Sequence, residues 1–513
     1  MDKIKGRTNK ALTNIAFNVG NQVLSLVLAF VSRTVFINVL GVTYLGISGL
    51  FADILNMLSL ADLGFNTAMV YSLYQPLKDS DYNKIAALIS FYRKIYICVA
   101  GTVLVLGLAC IPFLPYIVNT ETEIPHLTLY YLISLANVVA SYLCVYKTSV
   151  LYADQKQYVI TSVTMVVSIL RTVCQILAVY FLKSYVAYLI LGCAGAVLTN
   201  VIASVIAVKK YPFLKQKIAL GSAEKKDIFN NIGSVFIYKL STVLITATDN
   251  ILISVLISTI AVGYYSNYLL LQNKISMFYV IIFSSVTASI GNLIVSEKKE
   301  KGFEIFQCEQ SVSAIICCVV VPCFTVLVND FIRIWLGDDY TFAGATVLAI
   351  GLNMFLTCVL QPLWSFREAT GLYRKTKWAM MICAVLNIAL SVILGKLIGI
   401  TGVLLATSIS KLSTYILYEP KLLFNEYFGK PAKLYYFDLI KSFAVISVLV
   451  AANYFIFRSF EITSWALWIV KALAVGAISL LCSYCVYFKS PGYKMIKNKF
   501  LSLLKRADAN NKG

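Results

Sequence analysis

Apolar residues recur along the whole chain in runs that are long enough to cross a bilayer, and short polar segments separate the runs. A membrane-spanning helix needs about 20 predominantly apolar residues. The pattern therefore predicts an all-α polytopic membrane protein with about 14 transmembrane helices. These lie at approximately 11–38, 44–73, 84–115, 126–150, 157–182, 185–208, 229–256, 260–290, 305–329, 341–365, 376–398, 401–424, 434–457 and 463–488.

The composition agrees with this pattern, because 59% of the 513 residues are hydrophobic and only 13% are charged. A soluble protein carries roughly 25% charged residues. The polar segments are too short to hold a soluble catalytic domain, and the sequence lacks both the G-x-x-x-x-G-K-[ST] phosphate loop and the H-E-x-x-H zinc motif. We therefore expect a protein that is not an enzyme, with no bound metal and no cofactor.

The distribution of positive charge predicts the orientation of the helices. If the N-terminus is cytoplasmic, the cytoplasmic segments hold 33 of the 44 Lys and Arg residues. Such a bias places both termini in the cytoplasm, as the positive-inside rule requires. The net charge of +20 then reflects topology, and nucleic acid is not an expected partner. The segments are 1–10, 75–94, 147–157, 209–227, 297–302, 366–377, 421–433 and 489–513.

Two stretches indicate an internal repeat. FINVLGVTYLGISGLF (36–51) resembles LISVLISTIAVGYYSNYL (252–269) at an offset near 216, and a one-residue slip pairs Gly46 with Gly263. Six predicted helices separate the two copies, so the halves have the same orientation, as in carriers with parallel repeats. The alternative is a chance similarity. The predicted organisation is a cytoplasmic N-terminus at 1–10, an N-lobe at 11–210, a linker at 211–228, a C-lobe at 229–428, two extra helices at 429–488 and a basic cytoplasmic tail at 489–513.

Polar residues form stripes inside the first and seventh predicted helices. Lys239, Thr242, Thr246 and Asp249 are spaced by 3, 4 and 3 residues, which puts them on one helical face. In the first helix, Asn18 and Asn21 share a face with Asn14, Ser25 and Ser32, and Gln22 and Arg33 flank it. Two symmetry-related helices with polar stripes are what a cavity between two lobes requires.

Charges inside the membrane are costly, at about 2.5–3.5 kcal/mol each on insertion scales. The cavity candidates are therefore the deep cations, and their excess over carboxylates favours an anionic ligand such as phosphate or pyrophosphate. The alternatives are that Arg33 reaches the outer interface and that Lys239 and Asp249 form a structural pair. The deep cations are Arg33, Arg171, Lys239, Lys274 and Lys411, and the charge-balancing or coupling candidates are Asp249, Asp53 and Asp62.

The stretches SRTVFINVLGVTYLGISGLF (32–51), ATDNILIS (247–254) and AVGYYSNY (261–268), with the 6+6+2 helix plan, resemble the polysaccharide transporter (Wzx-type flippase) family of the MATE/MOP exporter superfamily. The resemblance implies a flippase of the bacterial plasma membrane that moves undecaprenyl-pyrophosphate-linked oligosaccharides for O-antigen, capsule or exopolysaccharide assembly. It implies alternating access, with a polysaccharide polymerase and chain-length machinery as candidate partners. Similar lipid II flippases hold pyrophosphate with arginines of the first helix, and here only Arg33 matches.

Two other functions are alternatives to the flippase. A cation-coupled multidrug exporter has the same fold, but a cationic cavity disfavours cationic drugs. A membrane-embedded polymerase needs a sizeable outer loop, and the outer segments near 116–125 and 330–340 are short. The sequence does not identify the glycan that is carried, nor whether H+ or Na+ is the coupling ion. The tail at 493–507 has the pattern of a basic amphipathic helix that lies on the inner leaflet or binds a partner.

Overall fold

The structure, a computed structural model, describes residues 24–59, 65–121, 123–154, 156–216, 218–296 and 299–498. Every regular element within these ranges is helical, because a helix satisfies all of its own backbone hydrogen bonds in the absence of water. This confirms the all-α prediction. The contacts divide the chain into a first unit that ends at Gly263 and a second unit that begins at Tyr264.

The first unit holds ten complete helices and the start of an eleventh in the described residues. They are α1 (Leu24–Leu40), α2 (Val42–Leu58), α3 (Phe65–Lys78), α4 (Tyr82–Cys110), the one-turn α5 (Leu114–Ile117), α6 (Leu127–Tyr142), α7 (Val145–Ala153), α8 (Gln157–Leu182), α9 (Tyr185–Lys210), α10 (Ser222–Leu256) and the first turn of α11 (Thr259–Ser296).

The second unit continues α11 and adds the remaining helices. They are α12 (Lys299–Leu336), α13 (Gly344–Val359), α14 (Gln361–Thr370), α15 (Tyr373–Ser413), α16 (Tyr415–Leu423), α17 (Lys433–Phe457) and α18 (Trp465–Tyr487). α12 is the central helix, and it packs against α13, α17 and α18. The predicted lobe boundaries are not tested by this division, and they stay a prediction.

Nine helices of the described chain are long and apolar enough to cross a membrane, and two bent pairs raise the number to eleven. The predicted count of fourteen is not confirmed. Many large apolar side chains on these helices face outward, such as Phe181, which is 71% exposed. Such a surface is unfavourable in water and favourable in hydrocarbon. The chain is therefore a multi-pass membrane protein.

Backbone breaks set two of the helix boundaries. The chain axis bends by 120° between α1 and α2, where Gly41 has φ of 90°. Within α15, Ile398 and Gly399 leave the helical conformation, and Gly399 has φ of 62°. A Cβ on Gly402 would overlap the carbonyl oxygen of Leu394, so the chain folds back sharply at this point. The predicted spans 376–398 and 401–424 meet at this break.

The second unit is held together on one side by aromatic rings. Phe306 of α12 lies 5.4 Å from Phe366 of α14 and 5.4 Å from Phe424, between ring centroids. Phe428 completes the cluster at 5.3 Å from Phe306. These ring contacts add about 0.5–1.5 kcal/mol per pair beyond the burial of apolar area. They fix α14 and the segment Phe424–Phe428, which follows α16, against α12.

The predicted basic tail begins with a short docked segment. The amide nitrogen of Gly492 donates to Ser311 Oγ at 3.2 Å, and the ring of Tyr493 lies 5.6 Å from that of Tyr484. The start of the tail therefore packs against α12 and α18. The rest of the predicted helix at 493–507 falls largely outside the described residues, which end at residue 498.

A polar cluster ties the start of the predicted linker to the loop after α7. Tyr211 and Lys156 both donate to the carboxylate of Asp154, and Lys156 Nζ lies 3.2 Å from the hydroxyl of Tyr211. Burial alone raises the pKa of Asp154, but the hydrogen bonds from Lys156 and Tyr211 outweigh it and hold that pKa below its usual value of 3.8.

The lowered pKa predicts a loss of stability in acid. A carboxyl whose pKa falls on folding stabilises the fold fully above its unfolded pKa, and the contribution is lost as the pH falls through the folded pKa. Between about pH 5 and pH 3, the melting temperature of the wild type should fall more than that of Asp154→Asn. Differential scanning fluorimetry in detergent measures both curves. Glu121→Gln, in an exposed loop, should keep the wild-type slope. Parallel curves for Asp154→Asn and the wild type would contradict this assignment.

Candidate functional site

Helices α2, α6, α8 and α9 of the first unit line an open cavity of about 510 Å³. Its described lining residues carry no formal charge. More than half of them have hydroxyl or amide groups, although the cavity lies among predicted membrane spans. A polar cavity between apolar helices is the arrangement expected of a binding site for a polar ligand. Its polar residues include Ser48, Asn56, Ser134, Asn137, Gln175 and Tyr188.

Aromatic rings build one wall of this cavity. Tyr185 and Tyr188 stack with their planes 15° apart, and the ring of Phe36 lies 4.9 Å from that of Tyr188. The hydroxyl of Tyr185 is 2.7 Å from Ser48 Oγ. Gln175 Nε2 donates to the carbonyl oxygen of Tyr188 at 2.9 Å. These contacts hold the start of α9 against α1, α2 and α8, so the wall is formed before any ligand binds.

Two of the predicted cations meet beside this wall. Arg33 of α1 lies one helical turn before Phe36, which packs on Tyr188, and Arg171 of α8 lies one turn before the lining residue Gln175. Arg33 Nη1 and Arg171 Nε are buried, and neither atom has a hydrogen-bond partner among the described residues. The stem of Arg171 packs so closely on Gly195 that a Cβ there would lie 2.6 Å from Arg171 Cδ. A buried guanidinium donor without an acceptor favours an anionic ligand.

The predicted stripe on α10 is half-buried to exposed. The hydroxyls of Thr242 and Thr246 donate to Tyr238 and Thr242 carbonyl oxygens of the same helix, both at 3.1 Å. They therefore retain only lone pairs for a ligand. Lys239 and Asp249 lie half-buried on this helix. Whether they face a cavity or form a structural pair stays a prediction.

Of the two carboxylate candidates in the second predicted helix, the structure describes Asp53 but not Asp62. Asp53 of α2 accepts a hydrogen bond from Asn250 Nδ2 of α10 at 2.7 Å. Asn250 is 7% exposed, and its Oδ1 has no partner in the described part of the chain. Asp53 is thus fixed against α10, as a structural or charge-balancing residue would be. Asp62 lies outside the described residues, as do Asn18, Asn21 and Gln22.

The remaining predicted cations lie in the second unit. Lys274 is half-buried on α11 and Lys411 is half-buried on α15. The cavity belongs to the first unit, so the role of these two lysines stays a prediction. Across the described ranges, no three His, Cys, Asp or Glu residues are close enough to hold a metal ion.

Sequence reasoning did not select Asn137, Gln175, Tyr185 or Tyr188. Asn137 and Gln175 are amides inside predicted apolar spans, and this signal is visible in the sequence. The two tyrosines follow one another at a spacing of three residues near the start of α9. Tyrosines are common at membrane interfaces, however, so the sequence does not distinguish a cavity wall from an interfacial belt.

The comparison with protein families identifies the first half of the chain. A sequence model of the family described as "Polysaccharide biosynthesis protein" matches residues 11–288, which is more than half of the chain. No curated protein sequence matches the chain significantly.

Several solved structures share the fold. The lipid II flippase MurJ in an inward closed conformation is 16% identical, with a TM-score of 0.64 over 93% of this chain and 99% of that chain. An inward-facing MATE multidrug resistance transporter of the MOP superfamily is 12% identical, with a TM-score of 0.60 over 76% and 93%. A mutant of the Vibrio cholerae MATE transporter VcmN is 13% identical, with a TM-score of 0.52 over 80% and 96%. The chain therefore belongs to the polysaccharide biosynthesis protein family, and its fold is that of the MATE and MurJ membrane transporters.

Proposed function

We propose that this protein is a flippase that moves undecaprenyl-pyrophosphate-linked oligosaccharide repeat units across the bacterial plasma membrane by alternating access. The observation that carries the proposal is an uncharged polar cavity with two arginines at its wall: the stem of Arg171 packs on Gly195 of α9, and Arg33 lies one turn before Phe36, which packs on Tyr188. The guanidinium groups suit a pyrophosphate, and hydroxyl and amide groups suit sugars. A lipid-linked oligosaccharide carries both chemistries on one molecule.

The proposal extends to residues beyond the cavity. Lys239, Lys274 and Lys411 are further candidates for contact with the anionic group of the substrate, and Asp53 and Asp249 are candidates for charge balance or coupling. Both termini lie in the cytoplasm. The translocated oligosaccharide is used in O-antigen, capsule or exopolysaccharide assembly, and a polymerase and chain-length machinery are the partners. The family and the MurJ-like fold support this role.

The second candidate function is cation-coupled export of drugs, which the MATE-like fold favours. A cationic drug would have to bind next to Arg33 and Arg171, where like charges repel. The described lining of the first-unit cavity includes no carboxylate to attract it. Protection of cells against ethidium by the wild-type chain would support the exporter.

Substitution of either arginine should slow transport strongly. Arg33→Gln and Arg171→Gln each remove a charge-assisted hydrogen-bond donor, which is worth about 1.5–3 kcal/mol and corresponds to a roughly 10- to 100-fold lower rate. The measurement uses proteoliposomes with a fluorescent undecaprenyl-pyrophosphate disaccharide in the inner leaflet. Arrival in the outer leaflet is scored by access to a membrane-impermeant glycosidase.

The matched control is Arg458→Gln. Arg458 is exposed at the end of α17 and stacks over Phe455 at 5.8 Å. The Arg458→Gln variant should transport the substrate at the wild-type rate. Equal rates in all four proteins would remove the arginine pair from the mechanism, and no transport by the wild type would reject the flippase for this substrate.

A further inference from the structure

The segment that follows α5 is hydrogen-bonded to the turn between α10 and α11. The amide of Thr259 donates to the carbonyl oxygen of Asn119 at 2.8 Å, and the amide of Asn119 donates to Thr259 Oγ1 at 2.9 Å. Asn119 Nδ2 donates to the carbonyl oxygen of Ile257 at 3.2 Å, and Ser254 Oγ donates to that of Ile117 at 2.7 Å. We refer to these five residues as the latch.

The interior of the latch is closed to water. Ser254 and Thr259 are both 0% exposed, and their hydroxyl oxygens lie 2.7 Å apart. Since Ser254 gives its proton to Ile117, the hydroxyl of Thr259 donates to Ser254 and accepts from the amide of Asn119. Beside this turn, a Cβ on Gly46 of α2 would overlap the carbonyl oxygen of Thr259. The bonds of the latch therefore have to break together, because a single broken bond would leave a buried polar group unpaired.

The latch lies close to the cavity and on the predicted outer side. Gly46 precedes the cavity residue Ser48 by two positions on α2. The segment after α5 falls in the predicted outer segment 116–125, and the turn before α11 lies outside every predicted cytoplasmic segment. All the latch residues belong to the first unit of the structure. The predicted repeat, however, assigns α5 to the N-lobe and α10 to the C-lobe, so the latch joins two helices that alternating access would separate.

We propose that the latch closes the outer side of the cavity and controls when the cavity opens to the outside. Because its bonds break together, the latch has two discrete states, closed and open, and the closed state is the one in this structure. Weakening the latch should raise the population of open molecules, and locking it should remove that population. This inference rests on the proposed function for its orientation and its lobes, and it adds the residues that regulate access to the site.

A reporter cysteine in the cavity measures how often the outer side opens. Ala52 lines the cavity and is exposed, so Ala52→Cys places a thiol there. A membrane-impermeant maleimide that is added to spheroplasts reaches this thiol only from the outside. Mass spectrometry reads the labelling of residue 52 separately from that of the 13 native cysteines.

Thr259→Val in the reporter chain removes a hydroxyl and keeps the shape of the side chain. The labelling rate should rise about 2- to 10-fold, which is the effect of one lost hydrogen bond on the open population. Thr346→Val is the matched control, because Thr346 Oγ1 lies 2.7 Å from Thr401 Oγ1 in the second unit, away from the latch. This variant should be labelled at the rate of the reporter chain.

A disulfide tests the latch in the opposite direction. Asn119→Cys/Thr259→Cys in the reporter chain, oxidised with copper phenanthroline before the maleimide is added, should stop the labelling of residue 52. Reduction should restore it. The control pair is Thr346→Cys/Thr401→Cys, whose oxidation should leave the labelling at the reporter rate.

The outcomes separate the latch from the flippase. Labelling that neither Thr259→Val nor the disulfide changes would overturn the latch and leave the flippase standing. Labelling that responds to both, combined with no flipping by the wild type in proteoliposomes, would keep the latch and reject the flippase. If Thr259→Val does not fold, the disulfide decides, and unchanged labelling of the oxidised protein rejects the latch.

Discussion

Replacement of Arg367 by alanine is expected to lower the free energy of unfolding by about 3–5 kcal/mol. Arg367 Nη1 lies 3.0 and 3.1 Å from the two carboxylate oxygens of Glu419, and the residues are 3% and 2% exposed. The substitution would leave the Glu419 carboxylate buried without its cation, and that uncompensated charge causes most of the loss. Chemical unfolding in detergent, followed by circular dichroism, measures the change.

Two comparisons make this result specific. Lys375 pairs with Glu426 at 2.6 Å, but its side chain is 57% exposed, so Lys375→Ala should cost only about 0–1 kcal/mol. The double variant Arg367→Met/Glu419→Leu removes both charges and should be close to the wild type or more stable. A cost for Arg367→Ala no greater than that for Lys375→Ala would show that the buried pair does not hold α14 against α16.

Arg367 also shows what a count of charged residues can predict and what it cannot. In the sequence it is one of four positive residues in the segment 366–377, where it predicts only the orientation of the chain. Its partner Glu419 lies 52 residues away, beyond the break at Gly399. A buried ion pair between two helices depends on how the helices pack, and no spacing within one helix reveals it.

The candidate site shows the same division between what one helix encodes and what packing adds. The rarity of charge inside apolar runs selects Arg33 and Arg171 from the sequence, and the structure places both next to the α9 wall of the cavity. Hydropathy alone does not select Tyr188 or Asn137, because uncharged polar residues are tolerated on many faces of a membrane helix. The cavity exists only because four helices present such residues to one another.

The two glycines that the predicted repeat pairs are close neighbours in the structure. A Cβ on Gly46 would lie 3.1 Å from the amide nitrogen of Gly263, and one on Gly263 would lie 3.2 Å from that of Gly46. These are the two glycines that the repeat places in equivalent positions. The contact lies between α2 and the first turn of α11, and the repeat itself stays a prediction.

Gly46→Ala is expected to destabilise the protein by about 1–3 kcal/mol, because a Cβ there overlaps the carbonyl oxygen of Thr259. Backbone atoms cannot turn aside as a flexible side chain does, so α2 and α11 must separate. Gly101→Ala, at a helical position where a Cβ meets nothing within 4 Å, should instead stabilise α4 by about 0.5–1 kcal/mol. Unfolding curves of the two variants in the same detergent should thus move in opposite directions. A gain in stability for both variants would mean that α2 and α11 do not meet at Gly46.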